Sequence, residues 1–287
     1  MSGTVGAPTG EPAPADPALT DNAPPEKTSP GTMLPDDALT DDAFLGGRLR
    51  LLQPARGHRA GHDAMLLAAS APSGARRAVD LGAGVGAAGL AFAVRVPAAM
   101  ATLVEIVPEL AELAARNAAR QRPGLAGRVA VVCADVATLG RPSGPEFPAA
   151  RAADLVLMNP PFNDPGRHRA SPDAGRALAH MVADADVATW LRAAERLLAP
   201  GGRLALIHRP EAIEALLAGL KGRFGSVTIR PVHPAPSAPA HRLLIGATKG
   251  RRTPPVFLPV LVLADDAGRP SAAAEHVLRA GGAIGPD

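Results

Sequence analysis

The feature that most constrains this chain is an alternation that starts near residue 76: a short apolar run, a polar residue, then a helical segment, again and again. "RAVDL" ends on Asp80 and a glycine loop, and an apolar helix follows over Ala87 to Arg95. "ATLVEI" carries Glu105, and Pro108 opens a helix through Arg120 with Leu110, Leu113 and Ala114 on one face. Proline is favourable in that first helical turn. "RVAVVCAD" closes on Asp135, and "ADLVLM" runs into Asn159. Val187, Trp190, Leu191, Ala194, Leu197 and Leu198 then recur at helical spacing until Pro200-Gly201-Gly202 stops the helix. "RLALIH" is a fifth strand with a helix over Glu211 to Leu220 behind it, and "SVTIRPV" and "HRLLIGAT" are close enough to pair as a hairpin. Strands apolar on both faces, alternating with helices, build a mostly parallel sheet covered on both sides. Ligands of such sheets bind beyond the carboxyl ends of the strands. That rule singles out Asp80 with its glycines, Glu105, Asp135 and Asn159.

"VDLGAGVGAAG" sets Gly82, Gly84 and Gly86 after Asp80. Glycines permit a tight turn and close backbone approach to a ligand, and the next helix offers free N–H groups. The spacing alone is ambiguous: Gly84, Gly86 and Gly89 also satisfy the dinucleotide fingerprint, with Glu105 near the position of a ribose-binding acid. Two acids separate the readings. Asp80 would face the pyrophosphate of NAD unfavourably but suits a cofactor bearing an ammonium group, and Asp135 can accept from an adenine amino group. S-adenosylmethionine offers an ammonium, a ribose and an adenine and no phosphate, so Asp80, Glu105 and Asp135 match its three needs.

The fourth strand ends unusually, in Asn159-Pro160-Pro161-Phe162. Two prolines fix φ and withhold backbone donors, so the corner is rigid and holds an amide and a ring in place. With this corner the chain resembles the class I, Rossmann-like S-adenosylmethionine-dependent methyltransferases that carry an Asn-Pro-Pro-aromatic motif. "DLGAGVG", "VEIVPELAELAARNA", "CADV" and "NPPF" stand as the successive motifs. The resemblance implies a three-layer α/β/α fold with a mostly parallel seven-stranded sheet and an antiparallel C-terminal hairpin strand. It implies cofactor contacts from Asp80, Gly82, Gly84, Gly86, Glu105, Asp135 and Asn159. In this family the Asn oxygen and the first Pro carbonyl accept the two hydrogens of a conjugated amino group and turn its lone pair toward the methyl donor. Carried over, Asn159, Pro160, Pro161 and Phe162 form the catalytic corner, with Phe162 stacking on the target base. "GHDAMLLAA" and "NPPFNDPGRHRASPD" are similar to the valine-tRNA adenine-37 N6-methyltransferase family. In that family the segment around Gly61 to Leu67 helps close the cofactor site, and the implied substrate is RNA, adenine N6 in a tRNA.

Composition bears on the partner. Met1 to Ala43 is rich in Pro, Ala, Gly, Thr and Asp and cannot bury enough surface to offset chain entropy, so a disordered acidic tail is expected over about 1–40. A single methyltransferase domain is expected over 41–287: a cofactor-site segment 41–75, a catalytic core 76–250 and a C-terminal extension 251–287. The chain carries 30 bases and 27 acids. Setting aside the eight acids and one base of the tail leaves 29 against 19, or +10. That excess suits a polyanionic partner, although the near-exclusive use of Arg is equally what a GC-rich coding bias produces. Candidate RNA contacts are Arg167, His168 and Arg169 after the corner and Lys249, Arg251 and Arg252 near the last strand, with Arg48 and Arg50 as further candidates.

The lone Cys133 excludes an internal disulfide or a Cys-based zinc site and is expected to be a small core residue. The apolar stretch from Ala78 to Val94 is broken by Asp80 and four glycines, so no membrane span is expected. Nor is a secretory signal expected. The expectation is a cytoplasmic monomer without metal. Other readings remain open: methylation of guanine N2 in rRNA or of a glutamine amide, an NAD-dependent oxidoreductase, and a non-catalytic RNA-binding relic. The absence of any Tyr leaves no Tyr-x-x-x-Lys pair for the oxidoreductase.

Overall fold

A computed structural model describes residues 35–57, 59–161 and 187–284. The expected tail up to residue 34 lies outside them, as do Phe162, Arg167, His168 and Arg169.

The alternation in the sequence becomes strands β3 (Arg77–Leu81), β4 (Met100–Glu105), β5 (Val129–Cys133), β6 (Ala153–Met158), β7 (Leu198–His208), β8 (Phe224–His233) and β9 (Arg242–Lys249). Between them run α2 (Ala87–Arg95), α3 (Pro108–Ala119), α4 (Val187–Leu197) and α5 (Ile213–Leu220), after α1 (His62–Ser70), which precedes β3. The spatial order from the β5 edge is β5, β4, β3, β6, β7, β9, β8, and only β9 runs antiparallel to its neighbours. This is the expected seven-stranded sheet. Two short strands that the sequence did not announce, β10 (Val256–Phe257) and β11 (Leu261–Val262), extend it by pairing with the outer side of β8.

Each strand has apolar side chains on both faces because both faces are covered. Leu66, Leu90 and Ala114 from α1, α2 and α3 pack with Leu155, Leu157 and Ile207 on one side. Trp190, Leu191 and Leu216 from α4 and α5 pack with Leu81, Met158 and Leu206 on the other. Neighbouring side chains along a strand therefore enter different cores. The layers are those of a Rossmann-like α/β/α sandwich.

The amino-terminal boundary needs correction. The tail was expected to reach residue 40, yet Leu39–Phe44 is strand β1, paired antiparallel with β2 (Leu49–Pro54). Gly46 and Gly47, both at positive φ, turn between them. Asp41 and Asp42 are poor strand formers, and what holds them is charge brought from elsewhere. Asp41 pairs with Arg120 at 2.7 Å and with Arg50 at 3.2 Å, Asp42 with Arg59 at 2.5 Å, and Asp36 with Arg116 at 2.7 Å. Arg120 and Arg50 hold the Asp41 carboxyl below its ordinary range. Residues 35–287 accordingly carry 29 bases against 23 acids, a net +6 rather than +10.

Cys133 also departs from expectation. It ends β5 as predicted, but it is exposed, because β5 is an edge strand and its last residue faces solvent.

Candidate active site

The ends of four adjacent strands build the site. In register, Leu81 of β3 faces Met158 of β6 and Val104 of β4, and Glu105 faces Cys133 of β5. The next residues along each strand are therefore Gly82, Asn159, Glu105 with Ile106, and Ala134 with Asp135. At about 4.8 Å per strand they form one row about 14 Å long at the carboxyl edge. The Asn-Pro-Pro corner thus lies beside the glycine loop rather than away from it.

Gly82, Gly84 and Gly86 all adopt left-handed φ, at +64°, +57° and +90°, a conformation that is strained for a residue with a Cβ. Space separates their roles. A Cβ on Gly82 would collide with the Trp190 ring, and one on Gly86 would meet Leu103 at 2.9 Å, whereas one on Gly84 would meet nothing within 4 Å. Gly84 therefore presents bare backbone to open space. Its N–H donates to Glu105 Oε2 at 2.7 Å, while Glu105 Oε1 accepts from Ile106 and Val107 at 2.9 and 3.0 Å. Asn117 of α3, fully buried, donates to the Val85 carbonyl at 3.0 Å and exchanges hydrogen bonds with both backbone groups of Leu52. The glycine loop is braced from two sides, and one amide ties it to the β1–β2 hairpin. Sequence reasoning passed over Asn117, whose only signal was a polar residue on the otherwise apolar face of an amphipathic helix.

Asp80 is only 3% exposed, and its Oδ2 accepts the Gly89 N–H at 2.7 Å. Burial, reinforced by the nearby Glu105 charge and partly offset by that amide, pushes its carboxyl up to about 7. A Cβ on Gly89 would strike Leu103 and crowd the Asp80 carboxylate. The fourth glycine of the run thus serves this inward contact. At the other end of the row, Asp135 caps a 3-10 turn, its Oδ1 accepting from Ala137 N at 2.8 Å.

Asn159 differs from all of these. Its Oδ1 is buried and has no hydrogen-bond partner among the described residues. Buried acceptors are almost always paired, because leaving one unpaired costs about 1–3 kcal/mol. Pro160, next to it, is buried as well.

Lys249 is not part of this edge. Because β9 is antiparallel, its last residue lies at the opposite end of the sheet, and Lys249 Nζ bonds the carbonyls of Glu195 and Leu198 and pairs with Glu195 Oε1 at 3.3 Å. It caps the carboxyl end of α4, where a cation is favoured. Arg251 and Arg252 follow it at that same end and are exposed. Arg50 is taken up by Asp41, and Arg48 by the carbonyls of Leu45 and Ala280. Trp190 is a core residue as expected, and it also roofs the first glycine.

Topology, the glycine loop and the row of strand-end acids together define a class I S-adenosylmethionine-dependent methyltransferase. The chain belongs to the methyltransferase small domain family, whose model matches residues 61–230. A tRNA1(Val) (adenine(37)-N6)-methyltransferase of Porphyromonas gingivalis is 31% identical over 192 residues, 65% of this chain and 72% of that protein. The chain spans about three-fifths of the length of most of the tRNA-modifying relatives it matches. A 4-amino-L-phenylalanine/4-methylamino-L-phenylalanine methyltransferase of Streptomyces pristinaespiralis is 32% identical over 53% of this chain and 51% of its own length. Among solved structures, a predicted O-methyltransferase of Agrobacterium tumefaciens superposes with a TM-score of 0.65 at 30% identity, covering 78% of this chain and 99% of that one.

The cofactor of the class fits these residues. Bare backbone at Gly84 leaves room beside the loop, and the carboxylates of Asp80, Glu105 and Asp135 lie at or near the ends of three neighbouring strands. Among the described residues no cluster of metal-binding side chains occurs, and no helix is long and apolar enough to cross a membrane.

Proposed function

We propose that this chain methylates the exocyclic amino nitrogen of a planar base, with adenine N6 in a tRNA as substrate. The observation that carries the reading is the buried Asn159 Oδ1, without a partner among the described residues and in register beside the glycine loop. An acceptor held there without a donor is matched by an N–H of the incoming amine.

S-adenosylmethionine supplies an electrophilic methyl group on a sulfonium. The chain's own contribution is positional. Asn159 Oδ1 and the Pro160 carbonyl accept the two amino hydrogens, which turns the nitrogen lone pair out of conjugation with the ring. The two prolines keep both acceptors fixed, so little reorganisation accompanies the reaction. Phe162 is assigned to the face of the base, a role that suits an unstacked nucleotide. No strong base is required first, because the amine proton becomes acidic only after the methyl group has moved.

A hydroxyl nucleophile would need a proton acceptor, and an amide oxygen does not serve as one at neutral pH. The corner therefore favours nitrogen over oxygen. The activities of the P. gingivalis and S. pristinaespiralis relatives share one chemistry, an amino group on an aromatic ring. The net +6 of residues 35–287 favours RNA as the bearer of that group.

The test is mass spectrometry of nucleosides from tRNA and rRNA of a deletion strain, repeated with purified protein added back. A missing N6-methyladenosine in tRNA, restored by the protein, supports the reading. An intact nucleoside profile, or a missing N2-methylguanosine, overturns it.

A further inference from the structure

The outer third of the sheet carries a charge pattern that the catalytic edge does not explain. From Ala215 to Ala264 the chain has no Asp or Glu in fifty residues, but seven bases: Lys221, Arg223, Arg230, Arg242, Lys249, Arg251 and Arg252. This stretch is the end of α5 and all of β8, β9, β10 and β11. Some of these cations are already engaged. Lys249 and Arg242 pair with Glu195 and Asp63, and Arg230 donates to the Pro259 carbonyl. Arg251 and Arg252 are exposed, and neither has an acidic partner among the described residues.

The segment bearing them is strapped onto β8. Thr253 Oγ1 meets the N–H and the hydroxyl of Ser226 at 2.9 and 2.8 Å. Leu258 N and Leu263 N donate to the carbonyls of Ile229 and His233 at 2.8 and 2.9 Å. The backbone at 251–252 passes so close to Gly225 that a Cβ there would collide with it. On this fixed strap Val256, Phe257 and Val260 are 56, 68 and 53% exposed. A chain with six Phe, one Trp and no Tyr thus holds one of its few rings rigidly in water, level with Ile229, on the same strap whose Arg251 and Arg252 pass Gly225 four residues earlier along β8.

We propose that this outer strap is a second docking surface for the RNA substrate, with Arg251 and Arg252 on phosphates and Phe257 stacked on an unpaired base or end pair. The inference rests on the RNA reading above. Exposed cations and an exposed ring on one rigid segment are the combination that nucleic-acid surfaces use. A symmetric contact between two copies of the strap would set arginines against an equally acid-free face. β10 stands four strand positions from β6, about 19 Å across the sheet at the usual spacing, and Arg251 and Arg252 lie at the opposite end of the strands from Asn159. A nucleotide held at Asn159 cannot reach that far. A folded RNA can, so the strap selects an intact tRNA over a short fragment of it.

The experiment compares full-length tRNA with its isolated anticodon stem-loop, using the full chain and two variants, Arg251→Gln/Arg252→Gln and Phe257→Ala. For full-length tRNA the double variant should raise KM with kcat held, and should lower the slope of log affinity against log salt by about two, near 0.9 per lost phosphate contact. Phe257→Ala should weaken tRNA binding by roughly tenfold with that slope unchanged. Neither variant should alter S-adenosylmethionine affinity, melting temperature or turnover of the stem-loop. Wild-type KM and salt slope in both variants would overturn the strap while leaving the substrate reading intact. So would a change of oligomeric state in Phe257→Ala, or binding of the wild-type protein to anionic vesicles that the variants lose. Methylation of neither RNA by the wild-type chain would overturn the substrate reading and the strap together.

Discussion

The glycine loop and the Asn-Pro-Pro corner are neighbours at the ends of β3 and β6, yet they are finished to different degrees. In the loop the polar groups already have partners: Gly84 N with Glu105, Val85 O with Asn117, and Gly89 N with Asp80. At the corner the Asn159 amide oxygen is buried with none among the described residues. The difference separates two kinds of site. A preformed loop offers shape and backbone to a cofactor at little reorganisation cost. An unsatisfied acceptor lowers the cost of bringing in one particular donor. Loss of a loop contact should therefore appear in cofactor affinity, and loss of the corner contact in turnover.

The largest effect is expected from Asn159→Ala. Removing one preorganised hydrogen-bonding group from a reacting centre costs roughly 10²–10³ in rate. We expect kcat for RNA methylation to fall on that order while S-adenosylmethionine affinity, measured by calorimetry, changes only a few-fold. Near-normal turnover in this variant would erase the contrast and remove Asn159 from the chemistry.

Gly82→Val probes the other side. The substitution adds a β-branched side chain at φ +64° and drives it into Trp190. Left-handed strain of about 1–2 kcal/mol and the displaced ring should weaken cofactor binding by about tenfold or more. Trp190 is the only Trp and the chain has no Tyr, so its emission reports the displacement directly. Unchanged emission together with unchanged affinity would show that the loop tolerates a side chain there.

How much of this was legible in the sequence depended on the range of the interactions. The seven main strands were readable because each is a local apolar run ended by a local breaker. The glycine loop was readable from its spacing, but the inward turn of Asp80 was not, since that depends on how closely Gly89 and Leu103 pack. The β1–β2 hairpin was hidden because Asp41 and Asp42 are poor strand formers whose partners, Arg120 and Arg59, lie elsewhere along the chain. The end of the sheet on which Lys249 falls depends on strand direction. A single strand's sequence carries no direction.

A smaller effect is expected from Asp80→Asn, and it should depend on pH. The Asp80 carboxyl is raised in the folded state to about 7 from 3.8. The folded chain then holds a proton that the unfolded chain has released, so this group's contribution to stability is full below about pH 4 and is lost as pH rises through about 7. Asn keeps an acceptor for Gly89 N and carries no charge. Its melting temperature should therefore gain on wild type by a few degrees between pH 5 and pH 8, a size typical of one partly relaxed buried group. Parallel melting curves across that range would show that Asp80 is ionised throughout. A cationic ligand nearby should also pull the carboxyl down, so wild-type cofactor binding near pH 7 should release protons that Asp80→Asn does not.

The smallest effect tests the relocation of Lys249. If its ammonium caps α4, Lys249→Met keeps the apolar stem and loses only the bonds to the Glu195 and Leu198 carbonyls and the ion pair with Glu195. A cation at a helix end is worth up to about 1–2 kcal/mol when partly buried, which for a domain of this size lowers the melting temperature by about 2–5 °C. The RNA KM and its salt slope should not move, because the side chain points into the protein on the side of the sheet away from the corner. A lowered salt slope with an unchanged melting temperature would put Lys249 back on the RNA.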